Sequence, residues 1–219
     1  LGVFRVNLAY YIFLLLIIFL LIFLMKKNLK VSPKKIKAYM MVVMSLFVLR
    51  YIGLFLLCIM KDGRFVYMLK PLLFLNHLAI PLMILALAYV YLRWDKLSFN
   101  INYIIAVVLV ILYVATMFTM KGKVVFNPIY GYVIKIYNET ALFLGSLVII
   151  GSLLIYCVYF LDKPHNNKKG MIYLIIASLV VILENILYLG GLRLFPYPIF
   201  GDGIFLMIMG FAINTFKKL

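Results

Sequence analysis

The chain has 219 residues, of which 68% are hydrophobic, and a formal net charge of +16; its mean hydropathy is +1.17. That composition cannot supply the polar shell of a soluble core, which excludes a soluble globular domain. The basic residues sit in connections between long apolar runs, where such charge orients helices and meets anionic headgroups, so nucleic acid is excluded as a partner and membrane lipid is the expected one.

Seven apolar runs follow in chain order: Leu8–Met25, Ala38–Met60, Pro71–Leu92, Ile101–Phe118, Thr140–Leu161, Met171–Leu189 and Ile199–Phe216. Each approaches the about 20 residues that a helix needs to cross a bilayer. None has the polar face of a helix lying between core and water. The expected fold is all-α, a polytopic bundle of seven transmembrane helices in a single domain spanning residues 1–219. The first run ends in Met25-Lys26-Lys27 with no small-residue cleavage site after it, so it reads as a retained helix rather than a signal peptide. Cys58 and Cys157 fall inside spans in opposite membrane halves, so no disulfide or metal framework is expected. Neither a repeat nor a broken helix is evident.

Alternating the loops between two sides gives an orientation. One side carries Arg5, Lys61, Arg64, Lys70, Lys121, Lys123, Lys135 and Arg193; the other carries thirteen basic residues, six of them between Lys26 and Lys37. The richer side is expected to be cytoplasmic, with the N-terminus outside and the C-terminus inside a multi-pass protein of the cell membrane. Two longer pieces lie on the outer side. Residues 120–139 carry Gly122, Asn127, Pro128 and Gly131 among aromatics, and 190–198 join the last two spans. They read either as interfacial loops with aromatics among the headgroups or as a lid over an outward cavity.

Arg50 is the costliest residue, since a charge midway through a span must face protein or water and find a partner. Glu184 in the sixth run is the expected partner. At about 1.5 Å per residue, Arg50 lies roughly 18 Å and Glu184 roughly 20 Å above the inner ends of their spans. The pair reads either as a structural salt bridge or as the polar heart of a ligand site. Asn76 and His77 lie slightly farther out, as candidate contacts. Asn185 follows Glu184 and points about 100° away from it around the helix. Asp202, between two glycines at the start of the last run, reads as a helix N-cap. These six residues form the candidate polar core and place a ligand in the outer half.

No catalytic constellation is present. Ser146 and Ser152 follow glycines and lack any base for activation. The histidines, His77 and His165, lie on different elements, and no cluster of His, Cys or acids suggests a metal. The last run has no lysine for a retinal Schiff base, and no phosphate loop is found. The expectation is therefore a protein without catalysis or cofactor.

The layout resembles the N-terminal seven-helix sensor region of bacterial histidine kinases. The resemblance runs over nearly the whole chain. It rests on Lys70-Pro71-Leu72-Leu73, on Ala79-Ile80-Pro81-Leu82 running on to Leu87-Ala88-Tyr89-Val90-Tyr91, and on Pro196 and Pro198 before a last helix. That helix ends in Gly210-Phe211-Ala212-Ile213-Asn214 and basic Lys217-Lys218-Leu219. The family's polar Asn/His signature at the end of the fourth helix is missing here, and no kinase is present. The resemblance implies a membrane sensor of a ligand that is extracytoplasmic or dissolved in the membrane; the 16% aromatic content fits a small apolar or peptide ligand. The sensor would pass a shift of the last helix to a cytoplasmic signalling partner, output module or homodimer mate. A transporter or channel, and an accessory or immunity subunit, are the competing readings.

Overall fold

In lipid every backbone N–H and C=O must be satisfied within the protein, which makes helices the outcome for long apolar runs. The computed structural model describes residues 2–60, 65–92, 99–164 and 166–216, with side chains from Leu8 onward. Among these residues seven long helices form: α1 Gly2–Val31, α2 Lys34–Ile59, α3 Asn76–Leu92, α4 Asn100–Thr119, α5 Glu139–Tyr159, α6 Lys168–Leu189 and α7 Phe200–Thr215. Six spans are long and apolar enough to cross a membrane, one of them α3 with the turns that precede it. The 16 residues of α7 rise about 24 Å.

Each helix covers one expected run to within a few residues at its ends, with one exception. The third run was expected as one helix from Pro71. It is instead interrupted: a 3₁₀ turn Val66–Leu69 and a helical turn Lys70–Leu73 precede α3, which restarts at Asn76. Two cations hold the break. Arg50 Nε donates to the Leu73 carbonyl at 3.0 Å. The buried Lys70 Nζ donates to the Met117 carbonyl at 2.7 Å and to the Met120 carbonyl, closing the C-terminal end of α4, where a cation suits the helix dipole.

The core is arranged around α3. Every residue of α3 except Tyr89 is buried, and the helix touches α2, α4, α5, α6 and α7. Ala79, Ala86 and Ala88 allow those neighbours to approach closely. Around it, α2 packs on α1, α1 on α7, α7 on α6 and α6 on α5. On α1, Tyr10, Leu14, Ile17, Leu21, Leu24 and Asn28 form a single buried seam at alternating steps of four and three. By contrast α4 packs chiefly on α3, and Met117 is its one buried residue.

The all-α expectation needs one amendment. Residues 120–139 are not an irregular loop but carry an antiparallel β-hairpin, β1 Gly122–Asn127 and β2 Gly131–Ile136. Asn127 Oδ1 accepts from the Ile129 amide at 2.8 Å, a side-chain turn that starts the reversal. Gly131 closes it at φ +80°, and a Cβ there would lie 2.6 Å from the Leu57 carbonyl oxygen, so both backbone and space require glycine. The hairpin buries Val133, Ile134 and Ile136 and packs on α2.

Candidate functional site

The first turn of α7 and the residues before it gather bonds from several helices. A helix begins with amides that have no intrahelical partner, a cost that rises away from water. Here Glu184 of α6 accepts from the amides of Ile199, Phe200 and Gly201 at 2.8, 2.9 and 2.7 Å. A carboxylate in this position also suits the positive end of the helix dipole. Gly201 makes the approach feasible: a Cβ would lie 2.4 Å from a Val181 methyl and 2.9 Å from Glu184 Oε2.

Asp202 lies in that same first turn, with N-cap position taken by Ile199, so it is not the cap that its flanking glycines suggest. Its carboxylate instead forms the ion pair with Arg50, through Nη1 and Oδ2, with both side chains buried. The Tyr51 hydroxyl donates to the same oxygen at 2.9 Å. Arg50 Nη2 donates to the Pro198 carbonyl at 2.7 Å, and its guanidinium lies 5.6 Å from the centre of the Tyr51 ring. The expected division of labour is thus reversed. Arg50 pairs with Asp202, and Glu184 caps the helix that carries Asp202. The physical reason is demand: three amides with no other partner compete for the Glu184 carboxylate and take both its oxygens. The arginine, on a helix two neighbours away, meets the other acid.

Around this clamp the hairpin-side surface is bonded by residues that depth and charge did not single out. The Tyr188 hydroxyl lies 2.8 Å from both Glu139 Oε1 and the Pro196 carbonyl oxygen and shares its one proton between them. Arg193 Nη2 reaches Glu139 Oε2 at 3.1 Å and its guanidinium stacks 4.1 Å from the Tyr188 ring centre. The Tyr197 hydroxyl accepts from the Ile134 amide at 2.8 Å and donates to the Ile134 carbonyl at 3.3 Å, tying the hairpin to the segment leading into α7. Burial pushes the Tyr197 phenol well above its usual range, because the ionised form would lose its water. Tyr130 at the hairpin tip donates to the Leu194 carbonyl at 3.0 Å. Between α6 and the 192–200 segment lies a cavity of about 250 Å³ lined by Glu184, Leu187, Tyr188, Arg193, Tyr197 and Phe200. Pro196 and Pro198, which flank Tyr197, are the sequence feature nearest to these bonds.

The other three candidates are all buried. Asn76 is buried at the first turn of α3, and Asn185 is buried on α6 while Glu184 is only partly so. His77 is buried but faces another seam. Its ring stacks on Phe74 at 6.2 Å, meets Phe143 edge-on at 4.8 Å, and neither nitrogen has a hydrogen-bond partner. His165 lies outside the described residues, as do Lys61, Arg64, Arg93, Lys96, Lys217 and Lys218 of the charge count. Among the described residues no group of three His, Cys, Asp or Glu could hold a metal ion. The arrangement offers charge, hydrogen-bond donors and a shaped apolar cavity. No protein-family model matches the chain, and no curated protein does.

Proposed function

We propose that this chain is a multi-pass sensor of the cell membrane, with its N-terminus and hairpin outside and the far end of α7 in the cytoplasm. A ligand reaching the hairpin side, from outside or from the lipid, biases two packings of the bundle, and α7 carries the difference inward to an output module or partner. The observation that carries this reading is the convergence on one helix end. Glu184 from α6, Arg50 and Tyr51 from α2, and the Tyr197-linked hairpin all act on the first turn of α7 or the segment leading into it. A ligand in the adjacent cavity touches Glu184 and Tyr197 directly. The resemblance to the seven-helix sensor region of histidine kinases and the loop-charge bias support the same reading.

The test places spin labels at Lys30→Cys and Asn214→Cys, on adjacent helices at the end remote from the hairpin, in the full chain in nanodiscs with Cys58 and Cys157 replaced by serine. Breaking the clamp with Asp202→Asn shifts the label distance by about 2–5 Å, the range of helix slides and one-turn ratchets. An unchanged distance distribution refutes transmission along α7.

A carrier is the second reading, and one observation favours it. The third span is interrupted beside Arg50, and broken helices with freed carbonyls are how many transporters build their sites. Proton or potassium flux into proteoliposomes that depends on Arg50 decides for the carrier and against the sensor.

A further inference from the structure

Opposite the α7 clamp, α4 and α5 stand apart over α3 and leave a seam with a cavity at each level. The upper one, about 110 Å³, is lined by His77, Tyr113, Thr116, Leu142, Gly145 and Ser146 among others. The lower, about 360 Å³, is lined by Leu85, Tyr89, Ile101, Asn102, Leu153 and Tyr156. From His77 to Leu85 is about 12 Å along α3, so the two are stacked along one groove. The lower cavity alone is within the about 300–1,000 Å³ of small-molecule sites.

The upper end carries polar atoms that serve nothing else. Both His77 nitrogens and Ser146 Oγ are buried without a hydrogen-bond partner, in side chains 8% and 4% exposed. Buried polar groups in native proteins nearly always have partners, and each exception calls for an explanation, a bound group or water among them. Phe74 and Phe143 fix the imidazole in place, as a positioned contact requires. Asn102 Nδ2 is likewise buried and unpartnered beside the lower cavity. Among the described residues, His77 and tyrosines are the only ionisable side chains that line either cavity.

We propose that this seam binds a neutral lipid that enters sideways from the bilayer. Its head carries hydroxyl or carbonyl groups, held by His77 and Ser146, and its acyl chain runs down the groove between α4 and α5. An uncharged imidazole offers one donor and one acceptor, and a serine hydroxyl offers both, which matches a glycerol or ester head. The absence of a lining cation or acid argues against phosphate, carboxylate and amine heads. The poor packing of α4 follows: the lipid supplies the surface that α5 does not. The inference requires the bundle to lie in lipid and is independent of whether the chain signals.

The test uses the full chain in phosphatidylcholine nanodiscs with a photoreactive, alkyne-tagged monoacylglycerol, and photoreactive phosphatidylcholine as the control. The monoacylglycerol labels peptides of 109–120 and 141–153, and untagged monoolein competes. Ser146→Ala removes one hydrogen bond from the head and lowers labelling about fivefold. Its unfolding midpoint stays near that of the parent, because Ser146 Oγ bonds nothing within the protein. Gly145→Leu fills the upper cavity, since a Cβ there meets nothing within 4 Å, and lowers labelling at least about tenfold. Equal labelling by phosphatidylcholine overturns the inference. So does labelling spread over all lipid-facing helices, or labelling unchanged in both variants.

Discussion

Removing Asp202 should be strongly destabilising, and the loss should be coupled to Arg50 and not to Glu184. Asp202→Ala leaves a guanidinium with 0% exposure facing no counter-charge and takes the acceptor from the Tyr51 hydroxyl. Breaking a buried ion pair from one side costs about 3–5 kcal/mol, and the Tyr51 bond adds about 1 kcal/mol. Arg50→Met is also severe, since it orphans the Leu73 and Pro198 carbonyls as well as Asp202. In the double variant, however, no buried charge remains unpaired. The coupling energy of Arg50 with Asp202 should therefore be about 2–3 kcal/mol, at the upper end for contacting residues. The same cycle run with Glu184→Gln should give under about 1 kcal/mol, because the Glu184 hydrogen bonds go to amides. Reversible unfolding in mixed detergent and dodecyl sulfate micelles, followed by helical circular dichroism, measures each corner. A larger coupling of Arg50 to Glu184 than to Asp202 refutes the arrangement of the clamp.

Gly201→Ala drives a methyl into Val181 and Glu184 Oε2, and overpacking of this kind should cost about 1–3 kcal/mol in the same unfolding assay. Tyr197→Phe removes both bonds to Ile134, about 2 kcal/mol for two net hydrogen bonds, and hydrogen exchange at the Ile134 amide should accelerate. The Tyr197 phenol titrates above its usual value in the folded state. Its contribution is therefore present below the unfolded value of about 10 and lost as pH rises beyond it. Ultraviolet titration should show the parent ionising one tyrosine later than Tyr197→Phe predicts by simple loss. A membrane-impermeant maleimide applied to intact cells should label Lys123→Cys on the hairpin and not Lys30→Cys; the reverse pattern inverts the proposed orientation.

The hydrophobic runs were enough to locate the helices, because in lipid each span must satisfy its own backbone, although α1 and α2 run on into the lysines between them. α1 to α7 accordingly match the seven apolar runs closely. The same one-dimensional signal could mark Arg50, Glu184 and Asp202 as expensive residues in need of partners, since cost depends on a residue's own depth. It could not assign those partners. Depth favoured Glu184 for Arg50, but partner choice turns on which helices touch and on which groups are left unbonded at their ends. The first turn of α7 leans on α6, claims Glu184 for its amides, and presents Asp202 toward α2. The hairpin was legible in principle, in the β-branched and aromatic residues of 124–126 and 132–136 and the Asn-Pro turn between them, but apolar neighbours masked it. The interruption before α3 was not legible, for Lys70-Pro71 begins a helix as readily as it follows a break; the carbonyls of Leu73 and Met117 and the cations that meet them exist only once α2, α3 and α4 are packed. Sequence by itself determined which runs are long and apolar enough to cross a membrane and which residues would be costly there. Tertiary structure alone decided how those costs are met, because a buried charge is settled by contact between helices that lie far apart along the chain.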